Sequence, residues 1–220
     1  MLQYIIQYFY QKYYMALRVE DLEDESKYRQ KLVLSFNDMI PFILDYLKRR
    51  SLLTIFFWSA CFTFLMIAVS IRIRIAGYYP GSNIILHSML GIIIFPVMSV
   101  PVHELLHIIP YYLSGARKIR FGMDLRQYLF YVTAHRHVAT YNQFRIVALL
   151  PFILISTTLL VCIYLLPGLW KWSLSLFLFS HATMCAGDIA LLNFYYLNRK
   201  KKIYTWDDAD RKLAFFYEEI

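Results

Sequence analysis

The chain has 220 residues, of which 59% are hydrophobic and only 17% charged, and 23 Lys and Arg against 15 Asp and Glu leave a formal charge of +8. A soluble globule averages about 45–50% apolar and about 25% charged residues, so this composition excludes a water-soluble enzyme and a disordered tail. The basic excess gathers at the ends of uncharged apolar runs, where membrane orientation and anionic headgroups account for it without nucleic acid.

Residues 1–50 read as a polar preface. Met1 to Leu17 mixes Tyr and Phe with Gln3, Gln7, Gln11 and Lys12, unlike a secretory signal peptide, and the first spanning segment is expected to serve as the membrane signal. Ser26 to Arg50 is helix-prone: Leu32, Phe36, Met39 and Ile43 recur at three or four residues, and Pro41 is expected to bend or break the run. The region is expected to be a helical cap in the cytosol or along the membrane surface.

Apolar runs of 18 or more residues can cross hydrocarbon about 30 Å thick, and they predict four spanning helices at roughly 51–71, 84–112, 143–167 and 172–197. The second carries Pro96, Pro101 and Pro110 and is not expected to be straight. After Gly115, Lys118 to Met123 and Tyr128 to Thr133 are β-prone, which predicts a small cytosolic β-hairpin or re-entrant segment. Cys61, Cys162 and Cys185 lie inside apolar segments and read as buried small hydrophobes. No internal repeat is present, which disfavours the repeated halves of many transporters.

Lys48, Arg49 and Arg50 precede the first helix, Arg117, Lys118, Arg120, Arg126 and Arg136 follow the second, and Arg199 to Lys202 follow the last. Arg72, Arg74 and Lys171 are the basic residues left for the opposite side. The positive-inside rule then puts both termini and the central loop in the cytosol. The expected protein is all-α and multi-pass in the cell membrane, with an N-terminal region at 1–50, a four-helix domain at 51–198 and a cytosolic tail at 199–220.

His103-Glu104-Leu105-Leu106-His107 is an H-E-x-x-H sequence on a predicted helix. Four residues make slightly more than one turn, so both imidazoles share a face and can reach one Zn²⁺, while Glu104 can approach water beside it. The bland reading makes the histidines packing residues and Glu104 an arginine's partner. Three ionisable groups within a membrane helix are better explained by a metal, because coordination offsets their desolvation.

Asp188, the acid of the fourth helix, is the candidate third ligand. It and His103 each lie about ten residues, hence about 15 Å, from the same end of helices running in one direction. Cys185 is a competing ligand. Gly187 would let another helix come close. His181 lies about 10 Å along a straight helix from Asp188, which suits a group behind the ligands or on the substrate side, or an ordinary interface histidine. His135 and His137 read as surface groups, His87 lies near the opposite membrane side, and Arg145 could meet a peptide carboxylate or lipid headgroups.

With His103-Glu104-Leu105-Leu106-His107 in a long second helix and Gly187-Asp188 in the last, the chain resembles the bacterial DUF3267 group of zincin peptidases over residues 85–217. That group is similar in outline to the site-2 proteases. The resemblance implies zinc held by His103, His107 and Asp188, with Glu104 activating water. It departs from site-2 proteases where Ile189 follows Asp188, since those enzymes place the aspartate in Asn-Pro-Asp-Gly or Leu-Asp-Gly. The leading function is hydrolysis of a peptide bond in a membrane protein or membrane-associated peptide, within or near the bilayer. The alternatives are a non-catalytic metal-binding membrane protein, a transporter-like partner, or another metal enzyme such as a di-iron hydroxylase, for which six histidines are too few and scattered.

Overall fold

A computed structural model describes residues 17–124 and 129–220. Met1 to Ala16, Arg126 and Tyr128 therefore lie outside the described residues, and with them most of the aromatic N-terminal stretch.

The stretch from Ser26 to Arg50 is not one helix. It forms strand β1 (Tyr28–Ser35), a 3₁₀ turn (Phe36–Asp38) and helix α1 (Met39–Lys48). Leu32 and Leu34 face inward with a period of two, and the strand exists because β6 pairs with it along its length. Pro41 begins a helix instead of breaking one, because it sits in the first turn of α1, where backbone N–H groups have no intrahelical acceptor to lose.

Helix α2 (Leu52–Arg74) starts at a reciprocal capping box between Ser51 and Thr54. The second predicted span is helix α3 (Gly81–Met89), a π turn (Leu90–Ile94) and helix α4 (Phe95–Leu113) in sequence. The Phe95 N–H closes this wide turn on the Leu90 carbonyl, directly before Pro96, which has no N–H to give. At the same turn Gly91 abuts the Ser173 backbone, and a Cβ there would collide with the Ser173 carbonyl. Close helix approach therefore occurs at Gly91. At Gly187, where it was expected, an added Cβ would meet only Ile43 Cδ1 at 3.4 Å, an ordinary contact.

Gly115, at φ 107°, takes the turn that ends α4 in a conformation other residues rarely adopt. Strands β2 (Ile119–Asp124) and β3 (Leu129–Ala134) follow as the expected hairpin. The two-residue strand β4 (Ala139–Thr140) leads into helix α5 (Tyr141–Leu165), capped by Thr140 and Gln143. The last predicted span is two helices, α6 (Leu169–Met184) and α7 (Ala186–Leu197), bent by 42° at Cys185.

Helix α2, the run 81–113 and α5 are each long and apolar enough to cross a membrane, and the bent pair α6 and α7 passes the same test together, as a broken span or a re-entrant loop would. Apolar side chains such as Ile55, Phe56, Phe62, Ile92, Val97 and Met98 remain exposed along these helices, as a lipid-facing surface requires.

Helices dominate as predicted, but the all-α class omits a second sheet. Strands β5 (Ile203–Asp208) and β6 (Leu213–Glu219) join β1 and β4 in an antiparallel sheet of order β1-β6-β5-β4. Its strands come from before the first span, between the second and third, and after the last, so these three segments meet at one end of the helices. Phe42 of α1, Phe144 and Ala148 of α5, Leu192, Phe194 and Tyr195 of α7 and Phe216 of β6 form the core joining sheet to bundle. Glu218 is buried in the sheet with Arg29, Lys31 and Lys201 around it, and their hydrogen bonds hold its carboxyl at about 2. The Asn193 side chain donates to the carbonyls of Tyr46 (2.7 Å) and Arg49 (3.2 Å), tying the end of α1 to α7.

Candidate metal centre

Helix α4 brings His103 and His107 onto one buried face, each 6% exposed. Their Nε2 atoms are 3.2 Å apart. Asp188 approaches from the first turn of α7, with Oδ2 3.3 Å from His103 Nε2 and Oδ1 3.4 Å from His107 Nε2. Tetrahedral zinc with bonds of about 2.0–2.1 Å separates its ligand atoms by about 3.3–3.4 Å. Each separation is close to that edge length, with the two histidines meeting different oxygens of the Asp188 carboxylate, so the three groups converge as a zinc ion would require.

Hydrogen positions follow from the partners. The Val147 carbonyl, 2.9 Å from His107 Nδ1, can only accept, so Nδ1 carries the hydrogen and Nε2 presents its lone pair to the common point. His103 Nδ1 lies 3.3 Å from His181 Nε2. With the same tautomer, His103 donates to His181, whose proton then sits on Nδ1, buried without a partner among the described residues. Two bare imidazole nitrogens beside a carboxylate repel one another unless a cation lies between them, and an N, N, O set suits zinc.

Glu104 lies one step around α4. Its Oε2 is buried without a hydrogen-bond partner among the described residues, and the Val132 backbone N–H of β3 approaches its carboxyl. Cys185 is fully buried, but its thiol donates to the His181 carbonyl at 3.4 Å and lies 3.9 Å from His181 Nε2. It thus stands on the Nδ1 side of His103, away from the point where His103 Nε2, His107 and Asp188 meet. His103, His181 and Cys185 form a second group of close ligand atoms.

The remaining histidines lie elsewhere. His87 Nδ1 pairs with Ser173 Oγ at 2.7 Å, and His137 Nε2 with Ser114 Oγ at 3.0 Å. Burial and then Arg117 push the His137 pKa down. His135 is close to Asp208 and Asp210, but its Nδ1 accepts the Ala209 N–H at 3.2 Å. A neutral ring therefore has its hydrogen on Nε2, facing Asp210, and offers no lone pair there for a metal. Arg145 stacks 5.9 Å over Tyr141 at the head of α5.

A cavity of about 320 Å³ opens beside the triad. Glu104 and Asp188 form its helical side, Phe130 to Thr133 of β3 another, Phe36, Met39, Ile40 and Ile43 a third, and Thr205, Asp207, Ala214 and Phe216 of the sheet the last.

Residues 96–204, just under half of the chain, match the DUF3267 family, described as "Putative zincin peptidase". The chain carries a DUF3267 region. No curated protein and no solved structure matches it. The DUF3267 region contains His103, Glu104, His107, His181 and Asp188, whereas the wall residues Phe36 to Ile43 and Thr205 to Phe216 lie outside it. Sequence reasoning did not find the Val147 carbonyl, because a backbone acceptor leaves no mark on residue type. It also missed Asp207, whose only signal was an acid directly after the β-prone run Ile203 to Trp206.

Proposed function

We propose that the protein is a zinc-dependent endopeptidase embedded in the membrane, cleaving a peptide bond within or next to the bilayer. The convergence of His103 Nε2, His107 Nε2 and the Asp188 carboxylate, beside Glu104 on a cavity wall with its Oε2 unpartnered among the described residues, carries this reading. His103, His107 and Asp188 would hold the metal, and zinc bound there supplies Lewis acidity toward water and the scissile carbonyl. Glu104 takes the proton of the attacking water and returns it to the leaving amine. Val147 and His181 keep the two imidazoles turned toward the common point.

A transmembrane helix hides its carbonyls, so a substrate must unwind before attack. The His135 N–H bonds back to Lys118, and alternation along β3 then turns the amides of Phe130 and Val132 away from β2, that of Val132 toward Glu104. That edge can hold an unwound peptide by strand addition. The clustering of Lys and Arg at the sheet end supports placing that end, both termini and the cavity mouth in the cytosol.

Glu104→Gln tests the reading. The variant should keep stoichiometric zinc and lower cleavage of membrane peptides by about 10²–10⁴, measured by mass spectrometry at equal expression in vesicles. Equal cleavage by both proteins would remove Glu104 as the base. Failure of wild type to cleave a broad peptide set would favour a metal-binding protein without hydrolytic activity.

A further inference from the structure

We propose that Asp207 is the carboxylate that selects a Lys or Arg side chain of the substrate, held against the sheet wall of the cavity beside the scissile peptide. This deepens the peptidase reading and rests on it. Alternation along β5 puts Thr205 and Asp207 on the cavity side, whereas Trp206 turns away to stack on Phe215 with ring centroids 4.3 Å apart. Asp207 thus shares a cavity with His103, Glu104 and Asp188.

The Asp207 side chain has no hydrogen bond or ion pair among the described residues, and every cation nearby is engaged elsewhere. Arg136 donates its backbone N–H to the Asp207 carbonyl at 2.9 Å, but its guanidinium pairs with Glu20 at 2.6 Å. Arg211 turns to Asp208 and Arg120 to Asp210, each at 3.8 Å. The titratable groups facing it from the helices are Tyr111 of α4 and Tyr195 of α7. Nor does Asp207 belong to any group of close metal-ligand atoms among the described residues.

A structural acid would have a partner, and this one is left without one at a wall. Burial alone pushes its pKa up to about 7. An ammonium or guanidinium entering the cavity would restore the charged form and form a charge-assisted hydrogen bond. The neighbouring walls, Phe36, Ile43 and Phe216, are apolar. A peptide that satisfies both surfaces carries one basic residue next to apolar ones. Transmembrane segments have that pattern at their cytosolic ends, where Lys and Arg concentrate, and the cavity opens at that end in the proposed orientation. Asp207 lies outside the residues that match the DUF3267 family.

The experiment uses full-length, zinc-loaded protein in lipid nanodiscs and transmembrane peptides in which Lys, Arg, norleucine or Glu is scanned through the cytosolic flank. Binding is read by fluorescence anisotropy in the Glu104→Gln background, and cleavage in the active protein. At one position Lys and Arg should bind and react about tenfold or more better than norleucine, as one charged hydrogen bond allows. Asp207→Asn should bring that ratio near one, and Asp207→Glu should retain it, with zinc content confirming that each variant is folded. A ratio that survives Asp207→Asn, or the lack of any basic preference at every scanned position, overturns the proposal. Glu104-dependent cleavage without such a preference sinks Asp207 alone, whereas an Asp207-dependent binding preference without any cleavage sinks the peptidase reading and leaves the binding site.

Discussion

His181 does at residue scale what no ligand can do for itself. An imidazole bound through Nε2 can still rotate about its Cβ–Cγ bond unless its other nitrogen is held, and His181 holds His103 Nδ1 at 3.3 Å. Loss of such a partner typically weakens metal affinity about 10–100-fold. His181→Phe should show that loss in a chelator competition, while His181→Gln, whose amide oxygen can accept the same hydrogen, should recover most of it. Equal zinc affinity in all three proteins would reduce His181 to packing. The histidine pair and Glu104 were legible because a helical repeat of four residues is a local property, and Asp188 was reachable by counting depth along two helices. Val147 was invisible for lack of a side-chain signal, and Asp207 because its neighbours in space are α4 and α7, not its neighbours in sequence.

Helix α1 acts as an element that closes one wall. Its buried face meets α7, Met39, Ile40 and Ile43 line the cavity, and its last carbonyls accept from Asn193. Asn193→Ala leaves those carbonyls without their donor, which costs about 1–3 kcal/mol for buried groups. The wall should loosen before the helices part. Thermal unfolding should shift down, and KM for a membrane peptide should rise with zinc content unchanged; a variant with unaltered KM would detach α1 from substrate binding. The hairpin β2–β3 could be read from β-prone runs alone. Strand β1 could not, since Leu32, Phe36, Met39 and Ile43 also fit a helical repeat and only pairing with β6, far along the chain, decides between the two. The bend at Cys185 was hidden for a related reason: apolar character runs unbroken through it, and hydropathy records length without direction.

Over the whole molecule, the four-stranded sheet ties together segments that precede, interrupt and follow the apolar helices, which requires them to share one side of any membrane the helices cross. A reporter inserted after Ser114 should therefore read the same side as one fused after Ile220, and the side opposite to one near Gly81. With the basic residues concentrated at the sheet end, the first two should read cytosolic. Opposite readings for Ser114 and Ile220 would contradict the sheet itself, and a consistent but inverted pattern would overturn only the orientation.

The sheet also sets an order of events during synthesis. All the spanning helices, and with them His103, Glu104, His107 and Asp188, leave the ribosome before β5 and β6 do. The candidate metal ligands are therefore already made while the wall bearing Asp207 and Phe216 has yet to be translated. During that interval the cavity lacks its sheet wall, and β1 waits without its partner strand. Translation of the final strand thus completes the sheet and the cavity wall in a single step.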